Sequence, residues 1–204
     1  MIDWLESIDR SIVLTVNSWH TPFLDEFFWF ISARWPWIPL YLFLLFLCWK
    51  QFGTRKTLVF VGIVIATIAL VDLTSVYFFK EAFQRYRPSH HAWLTNRLHF
   101  YLLKESEFRD GKFYPSEYYK GGSYGFISSH ATNFFAISTL IGFSLKQYYP
   151  KLLWILFAIS ILVCFSRLYL GVHYLSDLIG GALWGGSLAY VSYRLLVKRF
   201  VLSE

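Results

Sequence analysis

Three stretches of the chain, residues 57–79, 152–170 and 178–197, are apolar enough and long enough to cross about 30 Å of hydrocarbon as helices. Several such runs leave few choices of fold, because in lipid every backbone N–H and C=O must find its partner within the protein, and a helix satisfies its own. Two further runs are shorter or more mixed. Residues 36–49 begin with Pro36 and Pro39, and residues 131–145 carry Thr132, Asn133 and Ser138. The expected fold is all-α, an integral membrane bundle of about five crossings. Composition agrees, since 56% of the 204 residues are hydrophobic and 16% are charged, where soluble domains carry about a quarter charged. Disorder and a secreted disulfide scaffold are excluded. Cys48 and Cys164 sit inside apolar runs, where a thiol behaves as a small hydrophobe.

A net charge of +6 would suggest nucleic acid in a soluble protein, but in a membrane chain basic residues first report orientation, and no nucleic-acid partner is expected. Lys50, Arg55 and Lys56 link the first two runs, Lys146 and Lys151 link the third and fourth, and Arg194, Lys198 and Arg199 follow the last. With five crossings all three clusters fall on one side, which the positive-inside rule makes cytoplasmic. Residues 1–34 then lie outside, with five acids (Asp3, Glu6, Asp9, Asp25, Glu26) against Arg10 and Arg34. No basic stretch or apolar run opens the chain, so a cleaved signal peptide is not expected.

In that outer segment Leu5, Ile8, Ile12, Val16 and Trp19 recur at helical spacing, with Asp3, Glu6, Asp9 and Arg10 on the other faces. The pattern fits a helix lying in the membrane interface or one packed on the bundle; if the segment inserted, the crossings would number six. Residues 35–204 form the membrane domain. Its one long connection, 81–127, is on the outer side, and Gly121-Gly122-Ser123-Tyr124-Gly125 reads as a turn leading into the next span. Gly181 and Gly185 make a small-xxx-small step suited to close helix packing, with nothing in it that requires a dimer.

Ionisable groups within or at the ends of the spans are few: Asp72, Lys80, His130, Arg167, His173 and Asp177. Such groups are costly in hydrocarbon and mark function by default. The topology brings Lys80, Arg87, His130, Arg167, His173 and Asp177 to one level on the outer side. Three cations make an oxyanion site, and guanidinium forks fit phosphate. His173 and Asp177 are four apart, so on one helix face the carboxylate accepts from one ring nitrogen and leaves the other as a nucleophile. His130 is a second histidine, placed to protonate a leaving oxygen. Backbone N–H groups of Ser128 and Ser129, near a helix N-terminus, are candidates for the remaining phosphate oxygens.

These residues resemble the type 2 phosphatidic acid phosphatases, membrane relatives of the vanadium haloperoxidases. The first of that family's three motifs is matched by Lys80-Glu-Ala-Phe-Gln-Arg-Tyr-Arg87-Pro88, and the third by Ser166-Arg167-Leu-Tyr-Leu-Gly-Val-His173-Tyr-Leu-Ser-Asp177. The middle motif, usually Pro-Ser-Gly-His, stands here as Ile127-Ser128-Ser129-His130. The resemblance implies that His173 attacks phosphorus to give a phosphohistidine, His130 protonates the leaving group and Asp177 orients His173. Lys80, Arg87, Ser128, Ser129 and Arg167 would hold the phosphoryl oxygens, with no metal ion or other cofactor. The implied substrate is a phosphorylated membrane lipid: undecaprenyl diphosphate, phosphatidylglycerol phosphate, phosphatidate or a lipid A phosphate. A soluble phosphate ester is the alternative, and a transporter with Asp72, Lys80, Arg167 and Asp177 as an ion relay is the rival of another class.

Simpler readings accompany several residues. Lys80 and Arg87 taken alone fit span-end side chains that snorkel to the headgroups. Asp72 fits a polar packing contact or a partner of a catalytic residue. His90, His91 and His99 fit solvated loop positions, and Trp35, Trp37, Tyr169 and Tyr174 fit anchors at the membrane interface.

Overall fold

The computed structural model describes residues 2–109 and 112–202. Helix α1 (Ile2–Asn17) is followed by α2 (Pro22–Ser32), which Thr21 caps by accepting the Leu24 N–H, with Pro22 at the first helical position. After the single turn Trp35–Trp37 comes α3 (Ile38–Thr74), broken at Gly53, where φ is +72°. An L side chain rarely adopts that conformation, and the break folds α3 into two arms. They lie side by side, since Leu44 and Cys48 share a cavity wall with Phe60 and Val64. A π-helical stretch, Ser75–Lys80, and the short α4 (Glu81–Phe83) end the second arm. Three helices complete the bundle, α5 (Ser129–Leu145), α6 (Leu152–Tyr169) and α7 (Leu175–Ser192), and α8 (Lys198–Phe200) follows a π-helical stretch, Tyr193–Val197.

Helix α5 is central, packed against α3, α6 and α7. Its approach to α7 is set by glycine: a Cβ on Gly185 would lie 2.1 Å from the Thr132 carbonyl oxygen, and one on Gly181 would lie 2.7 Å from that of Ser128. The small-xxx-small step is thus a backbone-to-backbone contact within the chain. Two helical stretches, Trp35–Phe83 and Leu152–Tyr169, are long and apolar enough to cross a membrane by length and composition. Helices α5 and α7 carry more small and polar residues, which suits their position inside the bundle. Outward-facing Leu42, Phe46, Leu58, Ile65, Ile161 and Leu183 leave an apolar exterior.

The chain is mostly helical, yet the all-α expectation needs one correction. The long connection holds two antiparallel strand pairs, β1 (Leu102–Lys104) with β4 (Glu117–Tyr118) and β2 (Glu107–Arg109) with β3 (Lys112–Tyr114). They are three residues or shorter, too brief for an alternating pattern to show in the sequence.

Helix α1 packs on the bundle by one face and leaves part of its apolar stripe outward. It packs on α6 and α7, but the buried positions are Asp9, Val13, Val16 and Asn17, while Leu5, Ile8 and Trp19 are exposed. The Asp3 side chain lies outside the described residues. Asp9 and Asn17 find buried partners: Asn17 Nδ2 donates to the carbonyls of His99 (2.9 Å) and Tyr169 (2.7 Å), and its Oδ1 accepts the His99 N–H (2.8 Å). Buried partners satisfy these polar groups on the bundle side, while Ile12 and Val16 of the stripe pack beside them.

Candidate active site

The connectivity gathers Lys80, Arg87, His130, Arg167, His173 and Asp177 at one end of the bundle, opposite the Gly53 turn. His173 lies in the loop between α6 and α7 and is 1% exposed. Its Nδ1 is 3.3 Å from Asp177 Oδ2, and its Nε2 is 3.0 Å from an Arg87 Nη1. A guanidinium only donates, so Nε2 is the acceptor and the ring proton sits on Nδ1, facing the carboxylate. That is the tautomer in which Nε2 carries the free electron pair. The pair does not meet on a helix face as the four-residue spacing predicts. It meets across the start of α7, where Asp177 Oδ2 also accepts the Tyr174 N–H at 3.0 Å.

Burial pushes the His173 imidazole well below the usual histidine range, and the nearby Arg87 and Arg167 push it the same way. The ring is neutral at physiological pH. Arg87 is itself brought down to about 10 by burial and by Arg167, and stays a cation. Its Nε donates to the Tyr124 carbonyl at 3.1 Å, and a Cβ on Gly125 would lie 2.9 Å from Asp177 Oδ2 and 3.1 Å from Arg87 Cγ. The glycine-rich turn therefore walls the site as well as leading into α5.

Lys80 is held by a residue of the middle motif, whereas Arg167 is held by groups no sequence pattern singles out. Lys80 Nζ donates to Ser129 Oγ at 2.6 Å. Arg167, 2% exposed, donates to Ser32 Oγ of α2 and to the Tyr119 hydroxyl, the latter at 2.7 Å. The His130 ring is hydrogen-bonded to the Ser32 backbone. Snorkelling explains neither Lys80 nor Arg87, since both point into the site.

Ser128 corrects one expectation. Its N–H donates to the Asp177 carbonyl at 3.0 Å, so that group is already used and does not face a phosphate. Among the described residues its hydroxyl is buried without a partner, and so is Arg167 Nε–H. Two unpartnered donors inside a ring of cations fit the oxygens of a phosphoryl group, which supplies acceptors.

Sequence reasoning missed a second network behind Asp177. Arg85 donates to Asp177 Oδ1 (3.0 Å), Ser176 Oγ (2.6 Å) and Asp9 Oδ2 (2.8 Å). Asp9 Oδ1 accepts the Ser176 N–H at 3.0 Å, and its Oδ2 also accepts from the Ser176 hydroxyl. An acid from α1 thus caps α7 and, through Arg85, fixes the carboxylate that holds His173. The only available signals were Arg85 two residues before Arg87 and an acid at an otherwise apolar helical step.

The interface-anchor expectation holds for neither tyrosine. Tyr169 is 2% exposed and donates to Asp25 Oδ1 at 2.6 Å, and Tyr174 is 3% exposed with the Arg85 guanidinium 4.2 Å from its ring centre. Trp35 is exposed, and the Trp37 indole donates to the Ile31 carbonyl at 3.0 Å. Among the loop histidines, His99 Nε2 meets Asp25 Oδ2 at 2.9 Å, His91 lies 3.3 Å from Arg10, and His90 pairs with Ser89. Asp72 lines a groove that runs from His130 along α5.

Residues 56–200 match the profile of the PAP2 superfamily. The chain belongs to that family. It is a phosphoric ester hydrolase of the PAP2 kind, built as a membrane protein. It is similar to a lipid A 4'-phosphatase of Porphyromonas gingivalis, at 31% identity over 195 residues that make up 95% of this chain and 75% of the relative. A lipid A 4'-phosphatase of Bacteroides thetaiotaomicron is 29% identical over 97% of this chain and 81% of its own length. The fold is like that of a transmembrane PAP2-type phosphatidylglycerolphosphate phosphatase from Bacillus subtilis, with a TM-score of 0.63 over 93% of this chain and 84% of that one, at 21% identity.

Proposed function

We propose that this PAP2 phosphatase removes phosphate from a membrane lipid through a phosphohistidine on His173, at the outer face of the cytoplasmic membrane. The observation that carries the mechanism is the His173 ring: neutral, with its proton toward Asp177 and its free pair on Nε2 beside the Arg87 guanidinium. Arg87 gives up its hydrogen bond to Nε2 in favour of a phosphoryl oxygen, Nε2 attacks phosphorus as the bond from phosphorus to the leaving oxygen breaks, and His130 gives that oxygen its proton. Water then attacks the phosphohistidine, giving its proton to His130, and inorganic phosphate leaves. Lys80, Arg87 and Arg167, with the Ser128 hydroxyl and Ser129, stabilise the charge on the phosphoryl oxygens, work that magnesium does in many phosphoryl-transfer enzymes.

A lipid substrate is supported by the groove that leaves the site. It starts at Lys80, Ser129 and His130 and becomes apolar at Ile65, Ile68 and Ile137, so an acyl or prenyl chain stays in a hydrocarbon setting while its phosphate reaches His173. Undecaprenyl diphosphate, phosphatidylglycerol phosphate, phosphatidate and lipid A phosphates all fit this requirement, and the two curated relatives favour lipid A phosphate. Purified protein should release inorganic phosphate from short-chain phosphatidate in EDTA, and His173→Ala should abolish release while the fold persists. A His173→Ala protein as active as the parent would overturn the mechanism.

Five crossings and the outward-facing site belong to the same proposal. Three basic connections meet at the end of the bundle away from His173: Gln51 donates to the Tyr149 hydroxyl at 2.9 Å, and Leu145, Val197 and Val201 share one apolar cluster. Lys112→Cys should react with an impermeant thiol reagent on intact cells, and Arg55→Cys should be protected. The reverse pattern inverts the orientation.

A further inference from the structure

The groove below His130, about 790 Å³ in volume, has three layers. Its head is Lys80, Ser129 and His130, and its far end is apolar. Between them lie Asn133, one turn along α5 from His130, and Asp72, two turns back along α3 from Lys80. Asp72 is exposed along the groove, where its charge acts on Lys80. Among the described residues the Asp72 carboxylate makes no hydrogen bond or ion pair; only its backbone carbonyl is used, by the Ser75 hydroxyl. Asn133 Oδ1 is buried without a partner. A carboxylate beside hydrocarbon and a buried, orphaned amide oxygen are each costly, and both line the groove.

The unpartnered buried atoms around the site divide by chemistry. Ser128 Oγ–H and Arg167 Nε–H are donors on the phosphoryl side, whereas Asn133 Oδ1 is an acceptor; Asp72, exposed rather than buried, lines the same groove and adds two more acceptor oxygens there. If His130 protonates the leaving oxygen, the groove beyond it receives the leaving group. We propose that Asp72 and Asn133 bind hydrogen-bond donors, hydroxyl or amide N–H groups, on the leaving alcohol. They thereby favour phosphomonoesters of neutral, polyhydroxylated or amidated lipid headgroups, such as an acylated sugar, over lipid diphosphates. The inference rests on the phosphatase reading above, which makes the groove the leaving-group side. A diphosphate leaves as an anion, and the Asp72 charge repels it. A diacylglycerol leaving group carries no donor and leaves both acceptors unpaired.

The test compares three probes on purified protein in mixed micelles: a phosphorylated N-acyl glucosamine lipid, dioleoyl phosphatidate and farnesyl diphosphate. Ratios of kcat/KM between probes are read, because a ratio is independent of how much enzyme is folded. Asp72→Leu and Asn133→Leu should each lower the sugar-to-phosphatidate ratio by about ten- to a hundredfold, the discrimination one hydrogen bond to a charged or buried acceptor carries. Asp72→Asn, nearly isosteric and the safer variant for folding, should raise the diphosphate-to-sugar ratio by about tenfold. Ratios equal to those of the parent overturn the inference and leave the phosphatase reading standing. A parent protein that hydrolyses none of the three probes overturns that reading itself.

Discussion

At the end of the bundle where the Gly53 turn, the 146–151 connection and the last turns of the chain meet, the contacts are mostly hydrocarbon. Leu145, Val197 and Val201 are buried there against Phe52, Tyr149 and Leu202, and the lysines and arginines stay at the edges. At the opposite end Arg167, His173, Asp177 and Asp9 are all buried, and each is held by hydrogen bonds from a different part of the chain. The contrast follows from what each end must do. Apolar packing tolerates many sequences of similar volume, whereas a buried charge needs a particular partner at a particular distance. The functional end is therefore also the end whose integrity depends on single polar atoms, several of them supplied by α1 and α2.

Among the residues that support the site, the largest effect should come from Asp9→Ala. It leaves Arg85 without one carboxylate and the Ser176 N–H without its acceptor, so Asp177 loses the brace behind it. Breaking a largely buried pair costs about 2–3 kcal/mol, toward the low end for such pairs because Arg85 is 23% exposed. The expected loss in kcat/KM is about a hundredfold, since a shift of about 1 Å in a positioned group has that effect. Arg85→Ala should be similar, and the double variant no worse than the worse single one, because the two act as a unit. Additive losses in phosphate-release assays would mean that Asp9 and Arg85 support the site separately.

A truncation at the other end should show the complementary pattern. Leu145 is fully buried, and Leu145→Ala should lower stability by about 2–5 kcal/mol while kcat of the folded fraction stays within a few-fold of the parent. Thermal unfolding in detergent, read beside activity, checks both halves. If Leu145→Ala lowers kcat as much as Asp9→Ala does, the two ends are coupled and the division drawn here is wrong.

This division also explains what the sequence made legible. Apolar runs, basic connections and the three motifs depend on composition and spacing within a short window, so the helices of the bundle and the identities of Lys80, Arg87, His130, Arg167, His173 and Asp177 could be read directly. The supports could not. Asp9 to Ser176, Ser32 to Arg167 and Asn17 to Tyr169 join residues more than 130 apart, and no local pattern encodes them. The same holds for the bundle-facing side of α1, where Asp9 and Asn17 are buried by partners that no apolar stripe announces. Tyr169 and Tyr174 were legible as tyrosines near a membrane surface but not as buried struts, because interfacial and buried tyrosines share one sequence signal.

The smallest predicted effect again separates the ends, this time by pH. His173 is depressed in the folded protein, whereas in the unfolded chain it titrates near its ordinary value of about 6.5. Below that pH the unfolded chain binds a proton that the folded chain refuses, so stability rises with pH in this window and is lost as the pH falls from about 7 toward 5. The basic end carries no histidine among the described residues. His90 and His91 are shifted in the same direction but are only lightly buried and contribute less. His173→Gln keeps a hydrogen-bonding side chain that does not titrate, so its Tm should fall less steeply than the parent's over the same pH range. Equal slopes in the two proteins would show that the folded chain accepts a proton on His173 as readily as the unfolded chain does. The guanidinium of Arg87 would then no longer be the group that keeps Nε2 available, since a protonated ring has no electron pair there to face it.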